Sequence, residues 1–397
     1  MIAKRMSNFA ASATGAIVAR VAELRAQGQD IISLNVGEPD FPTPQNVKEA
    51  GILAINENKT KYTANNGIVE LRQSVCDKLK ADNGLNYTPK EVCITVGAKQ
   101  AIFNSVMCVA EKGDEVILPI PCWVSYTEIV KIADATPVFV EVDKENNFDL
   151  DIEAIKKAIT PRTRAILICT PNNPSGAIYS EAKLRELAEL AVKHDFWIIA
   201  DEIYEKLIYD GEKHFSIASI SQDVWNHTLT VNGMSKAYAM TGWRLGYVAG
   251  PEEAIAGIVK LQSQVTSNAD AIAQYASVEA LTGPQDTIDF MVGKFDERRK
   301  YLVDRLNAMP GVSCQLPKGA FYALPDVSGL IGKTYNGKVL ENAIDVTAFL
   351  LEAAHIAVVP GDAFYIPNHI RIAYSNSLEN IKRAMDQMEA AIEMLNA

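Results

Sequence analysis

The chain runs to 397 residues, 48% of them hydrophobic and 22% charged, ordinary values for a globular protein and a length that suits two or three domains at roughly 100–200 residues each. Its formal net charge of -11 repels a phosphate backbone, and no Lys/Arg-dense stripe breaks the acidic average, so nucleic acid is not expected as a partner. No stretch approaches the ~18 consecutive apolar residues that a membrane helix needs, so no membrane association is expected either.

Taken in chain order, the opening MIAKRMSNFAASATGAIVARVAELR has no acidic residue before Glu23. That composition imitates an organelle transit peptide. Arg20 and Glu23 nevertheless continue into a helical pattern, and no cleavage-like apolar core precedes them, which favours a cytoplasmic protein. The six cysteines, Cys76, Cys93, Cys108, Cys122, Cys169 and Cys314, show no C-x-x-C spacing and sit mostly in apolar runs. They read as reduced packing residues, and no metal is expected.

Further along, strand and helix patterns alternate. EVCITVG (91–97) reads as a strand, KQAIFNSVMCVAEKG as a helix ended by Gly113, and DEVILP as a strand again. PVFVEV, helical DIEAIKKAI and the strand RAILICT follow. Leu184, Leu187, Ala188 and Ala191 recur at helical spacing behind Ser180, the expected cap. FWIIADEIY starts as a short unalternating apolar run, the mark of a strand covered on both faces. Such repetition predicts an α/β fold whose large domain is built on a mainly parallel sheet flanked by helices.

The last ~100 residues differ in pattern. KGAFYALPDV, HIAVVPG and HIRIAYS read as strands, DVTAFLLEAA as a helix, and a final helix carries Ile381, Met385, Met388, Ile392 and Leu395 on one side. A smaller α+β domain is expected here, with a long helical stretch (QYASVEALTG through DRLNAMPG) joining the two. The expected division is 1–45 for an N-terminal arm and part of the small domain, 46–290 for the large domain, and 291–397 for the small one.

In an open parallel sheet, ligands collect beyond the carboxyl ends of the strands, and several polar groups fall there. Gly97-Ala98-Lys99 stands at a strand-to-helix turn, where exposed backbone N–H groups suit a phosphate, or where a lysine simply meets solvent. Asp201 ends a buried strand, as an anion needing a partner or as a helix cap. Lys236, in NGMSKAYAMTGWRLGY (232–247), has small uncharged neighbours and Arg244 close in sequence. It is either a desolvated, nucleophilic amine or a lysine reaching for water. An anion cradle, a carboxylate, an amine and an arginine on one sheet edge together match the needs of pyridoxal phosphate.

The ordered motifs carry the matter further. S-K-x-x-x-x-x-G-x-R-x-G (235–246), ADEIY (200–204), NNPSG (172–176), TKYTANNG-x-x-E-LR (60–72), GEPDF (37–41) and IRIAYS (370–375) resemble those of the class I aminotransferases of the fold-type I pyridoxal-phosphate enzymes. The chain is most similar to the bacterial and archaeal-type aspartate aminotransferases, whose cofactor motif reads VGGKQ where VGAKQ stands here. This resemblance implies a seven-stranded-type sheet and a catalytic Lys236 that bonds to the cofactor aldehyde and then shuttles a proton. It implies that Asp201 faces the pyridine nitrogen, that Tyr204 and Asn173 meet the phenolic oxygen, and that Trp123 stacks on the ring. The phosphate would meet Gly97, Ala98, Lys99, Ser235 and Arg244, with Tyr62 reaching in from a second subunit of a homodimer. Arg371, helped by Asn173 and the backbone of Gly37, would grip the substrate α-carboxylate. Trp123 also borders that substrate site.

For the substrate, the resemblance implies that Lys99, Ser12 and Thr14 meet a distal carboxylate, pointing to L-aspartate with 2-oxoglutarate. Relatives that also accept prephenate usually carry a lysine where Ala10 stands and proline where Ala11 stands, so prephenate is not favoured. Amino donors such as alanine or aromatic amino acids, a β-lyase, and a non-catalytic regulator that only binds the cofactor are the competing expectations.

Overall fold

The computed structural model describes residues 2–11 and 13–396. Ser12, expected near the distal carboxylate, lies outside the described residues. The strands in chain order are β1 (Ile32–Ser33), β2 (Val92–Thr95), β3 (Glu115–Ile120), β4 (Thr136–Glu141), β5 (Thr163–Cys169), β6 (Trp197–Asp201), β7 (Thr228–Gly233) and β8 (Gly246–Ala249). Among the described residues the largest sheet has seven strands in the order β2-β8-β7-β6-β5-β3-β4. Only β8 runs against its neighbours there, so the predicted mainly parallel sheet is present.

Period-2 side-chain alternation builds the core on both faces of that sheet. Ala165, Leu167 and Ile199 pack into one apolar cluster with Ile102 and Val106 of the helix Ala98–Val109. Ile166, Ile168, Ile198 and Ala200 point the other way, onto Leu184, Leu187 and Ala188 of the helix Glu181–His194. Burial on both faces explains the unalternating runs ILIC and WIIA. Ser180 caps Glu181–His194 as expected, its Oγ accepting from Lys183 N at 3.3 Å.

A second, smaller α+β layer follows, with β9 (Tyr322–Ala323), β10 (Thr334–Tyr335), β11 (Lys338–Val339), β12 (Ile356–Ala357), β13 (Val359–Pro360) and β14 (Ile370–Ala373). β13, β14 and β9 form one antiparallel sheet, while β1 pairs in parallel with β12 and ties the N-terminal segment to this layer. The helix Ala343–Ala353 lies between strands as predicted. The closing helix, Leu378–Glu393, buries Ile381, Met385, Met388 and Ile392, and Leu395 packs just beyond its end.

Three local expectations shift. The helix expected to run to Gly113 ends at Val109, because Ala110 is already extended (φ -130°) and Gly113 (φ 101°) shapes the turn that follows. The long joining stretch is two helices, Ala271–Thr282 and Asp286–Ala308. Gly283 and Pro284 interrupt it, since proline has no N–H to continue a helical ladder. After Asp201 the chain forms turns rather than a helix. The short segment Ile203–Lys206 therefore hangs at the carboxyl edge of the sheet.

Candidate active site

A cavity of about 430 Å³ opens where the carboxyl ends of β5, β6 and β7 meet the segment after β1. Lys236 projects into it, and its Nζ donates to the carbonyl oxygen of Gly37 at 2.7 Å. Burial pushes its amine down to about 8, against the pull of Glu38 and with help from Arg371 and Arg244. The desolvation expected from small neighbours is there, although Arg244 is a smaller contributor than burial itself. Lysine at this value is partly uncharged at neutral pH and able to attack a carbonyl.

Asp201 closes the floor at 4% exposure. Its Oδ2 accepts from Tyr126 Oη at 2.6 Å and its Oδ1 from the Ile203 backbone N–H at 3.2 Å. Burial raises the carboxyl to about 6, and those two hydrogen bonds hold it from rising further. Tyr204 shares a hydrogen bond with Tyr322, Oη to Oη 2.8 Å.

Arg371, 3% exposed on β14, donates from Nη1 to Asn173 Oδ1 at 3.1 Å and from Nη2 to the carbonyl of Asn35 at 2.6 Å. Its guanidinium lies over the rings of Tyr322 (4.7 Å) and Phe364 (5.0 Å). That stacking fixes the plane of a fork suited to a carboxylate.

The glycine turn is tightly built. Gly97 has φ 77°, and a Cβ there would lie 2.5 Å from Arg244 Nη2; one on Gly246 would lie 2.4 Å from the Ala98 backbone nitrogen. Ala98 starts the helix Ala98–Val109, and it lines the cavity with Lys99 and Arg244, so the unpaired N–H groups of a helix start sit beside a guanidinium, a ready anion site. Ser235 is buried in the same wall. Lys99 stands with Nζ 4.9 Å from the Trp123 ring centre, and burial followed by Arg244 lowers its pKa. Thr14 also borders the cavity.

The structure thus brings together Lys236, Asp201, Tyr204, Asn173, Ser235, Arg244, Ala98, Lys99, Trp123, Gly37, Arg371 and Thr14, with Gly97 directly behind Arg244. Tyr62 stands apart. It is 92% exposed and lines a separate depression with Lys61, Asn268 and Asp270. Sequence reasoning missed Tyr126, Tyr322 and Asn35. Only Tyr126 had a signal, three residues past Trp123 on the same turn of chain; the other two are brought in by distant pairings.

The aminotransferase class I and II family profile matches residues 29–388. The chain belongs to the class I and II aminotransferase family. An aspartate aminotransferase of Bacillus sp. (strain YM-2) is 42% identical over 99% of both chains. An aspartate/prephenate aminotransferase of Cereibacter sphaeroides is 44% identical over 96% of this chain and 95% of that one. The crystal structure of an aspartate aminotransferase from Rhizobium meliloti superposes with a TM-score of 0.96 at 43% identity, covering 100% of both. This aminotransferase is a pyridoxal 5′-phosphate-dependent transferase, and the site suits that cofactor. Asp201 is a buried carboxylate bonded to a phenol and an N–H but to no cation, which matches a protonated ring nitrogen. The helix start at Ala98 and Lys99, with Arg244, lines the same cavity as Lys236 and Asp201 and suits a phosphate. No described helix is long and apolar enough to cross a membrane.

Proposed function

We propose that this aminotransferase moves the amino group between L-aspartate and 2-oxoglutarate in two half-reactions, and that it works as a cytoplasmic homodimer. The observation that carries the reading is one cavity in which a desolvated amine, a buried carboxylate and a stacked guanidinium converge (Lys236, Asp201, Arg371). Bound pyridoxal phosphate supplies an aldehyde carbon for amine exchange and a ring that accepts the electron pair of a broken Cα–H bond.

The side chains then divide the work. With the cofactor bound, Lys236 Nζ would take the α-proton of the substrate and hand it back at the cofactor's former aldehyde carbon, two bonds from Cα. Asp201 holds a proton on the ring nitrogen, and Tyr126 and the Ile203 N–H keep its carboxylate oriented. Tyr204 Oη and Asn173 Nδ2 donate to the phenolic oxygen, while the indole of Trp123 covers one ring face. Gly97, Ala98, Lys99, Ser235 and Arg244 surround the phosphate. Arg371 clamps the α-carboxylate with Asn173 and the backbone of Gly37, and Lys99 with Thr14 faces the distal carboxylate. The nearly complete exposure of Tyr62 fits a residue that completes the phosphate site of a second copy. Exposed Ile52, Leu53 and Val69 supply apolar surface for that contact.

Absorbance of the holoenzyme tests the reading. Aspartate is expected to convert the aldehyde-derived band to the amine form of the cofactor, and 2-oxoglutarate to restore it. Borohydride is expected to fix the cofactor on Lys236 alone, and Lys236→Ala to abolish both results. Conversion by alanine or tyrosine but not by aspartate overturns the substrate assignment. A band that no amino acid converts leaves a cofactor-binding protein without turnover.

A further inference from the structure

Among the described residues, Asn35 is the only one with two buried side-chain atoms that lack a hydrogen-bond partner: neither Nδ2 nor Oδ1 meets one. The residue is 2% exposed. Folded proteins keep few such groups, because a buried polar atom without a partner loses its hydration and gains nothing in return. Of the other unpaired atoms, Arg371 Nε belongs to a residue of the cavity wall, whereas Asn104 Oδ1, Thr127 Oγ1 and Gln387 Oε1 occur singly and away from it. Asn35 belongs to that wall.

Its surroundings say what the amide is waiting for. The Asn35 carbonyl accepts from Arg371 Nη2 at 2.6 Å. Arg371 Nε is itself buried without a partner. Two residues on, the Gly37 carbonyl holds Lys236 Nζ at 2.7 Å. The segment 35–37 therefore runs from the guanidinium to the amine, along the space where an amino or oxo acid must lie. An amide with a structural role would be bonded in the resting chain, whereas one that binds ligand is left without a partner until the ligand arrives.

We propose that Asn35 is a substrate-binding residue. Its amide, closed off from the cavity in the free protein, turns when substrate arrives, so that Nδ2 donates to a carboxylate oxygen of the amino or oxo acid held by Arg371 and Oδ1 takes the unused Nε–H of Arg371. The ligand and the arginine then satisfy both halves of the amide at once, so the guanidinium is locked only when substrate is present. This inference rests on the reading of Arg371 as the carboxylate clamp.

Maleate, an unreactive four-carbon dicarboxylate, is the probe. Titrated into the holoenzyme, it gives a dissociation constant from the change in cofactor absorbance without turnover. Asn35→Ala is expected to weaken maleate tenfold or more, the usual loss for a hydrogen bond to a charged group. It is expected to do so without lowering Tm, because the deleted groups were unpaired in the free protein. Asn35→Ser keeps a donor in less volume and is expected to fall between the two; where the alanine variant does not fold, the serine variant is read by the same two measurements. A lower Tm with unchanged maleate affinity overturns the proposal and makes Asn35 a structural amide. Wild-type holoenzyme that ignores maleate overturns the dicarboxylate reading itself, and this inference falls with it; wild type that binds while Asn35→Ala binds equally well sinks the inference alone.

Discussion

Tyr126 Oη reaches Asp201 Oδ2 at 2.6 Å, a bond between residues 75 positions apart in the chain. It joins the helix that follows β3 to the end of β6, and it is the shorter of the two hydrogen bonds on this carboxylate. Because a donor to the ionised form favours ionisation, Tyr126→Phe is expected to raise Asp201 above its present value of about 6. The ion pair with a protonated cofactor ring then forms less readily. Reconstitution of the apoprotein is expected to show cofactor affinity down about tenfold at pH 8, the scale of one lost hydrogen bond to a charge. The deficit is expected to widen at pH 6, where more of the carboxyl is protonated. Equal affinity for both proteins at both pH values would contradict this role.

The two buried ionisable groups leave opposite signatures in the stability of the apoprotein. Asp201 binds its proton more tightly folded (about 6) than at its ordinary 3.8. Its contribution therefore favours folding below 3.8 and is lost as pH rises through 6, leaving a penalty of about 3 kcal/mol at neutral pH. Asp201→Asn, which cannot ionise, is expected to be more stable than wild type at pH 7 and to lose that advantage toward pH 4. Lys236 is depressed from 10.5 to about 8, so the folded state resists its charge below pH 8 and is relieved as pH climbs toward 10.5. Lys236→Met is expected to be stabilised by a similar amount below pH 8. Urea unfolding of cofactor-free protein across pH 4–10 reads both slopes; parallel curves for variants and wild type would exclude these environments.

A buried ion pair supports the same edge from beneath. Lys78 bonds to Glu205 and donates to Asn83 Oδ1 at 2.8 Å. Glu205 also accepts from Asn83 Nδ2 at 2.7 Å and Asn232 Nδ2 at 2.9 Å. Burial alone would raise this carboxyl, yet Lys78 with His214 and these donors holds it at about 2. Its stabilisation is present above pH 4.5 and lost as pH falls toward 2. Asn232 in turn accepts from the Gly233 N–H at 2.7 Å, three residues before Lys236. Lys78→Met strands a buried charge and is expected to destabilise by about 3–5 kcal/mol. The double replacement Lys78→Met/Glu205→Leu is expected to recover much of that in urea unfolding, and a double variant worse than the single one would refute the account.

What could be read in advance follows from how local each feature is. Lys236, Asp201 and the Gly97 turn announce themselves because each sits at a strand end, where one short stretch carries both the strand pattern and the polar residue that ends it. Arg371 needed the family's motif order, since a lone arginine in IRIAYS says nothing of the guanidinium's stacking on Tyr322 and Phe364. Tyr322 was out of reach. Its bond to Tyr204 spans 118 positions and exists only once β9 is laid against β14. Asn35 was invisible for a different reason: its distinguishing property is the lack of partners in a folded interior, which no sequence pattern encodes. The expected single joining helix failed on Pro284, a breaker plain in the sequence but outweighed there by the helical periodicity on either side.

Under the proposed function, Lys99 is the residue that selects a dicarboxylic donor. Its Nζ lies 4.9 Å from the Trp123 ring centre, and burial and Arg244 both reduce its hold on a proton. A carboxylate arriving beside it would reverse that reduction, because an opposite charge favours the ionised amine. Binding of a dicarboxylate therefore draws on Lys99 in a way that alanine, with no second carboxylate, cannot. Lys99→Ala is expected to lower kcat/KM for aspartate by roughly tenfold to a hundredfold, the range for a lost charged hydrogen bond, and to leave alanine within a few-fold of wild type. The position offers a rival role at the phosphate, one residue past Ala98, and the two are separable. A side-chain contact with the phosphate would weaken cofactor affinity and depress every donor alike, whereas a side-chain contact with the distal carboxylate spares cofactor affinity and depresses only donors that carry a second negative charge. A donor panel run beside a cofactor titration on wild type and Lys99→Ala distinguishes them, and an even loss across donors would move Lys99 from the substrate to the cofactor.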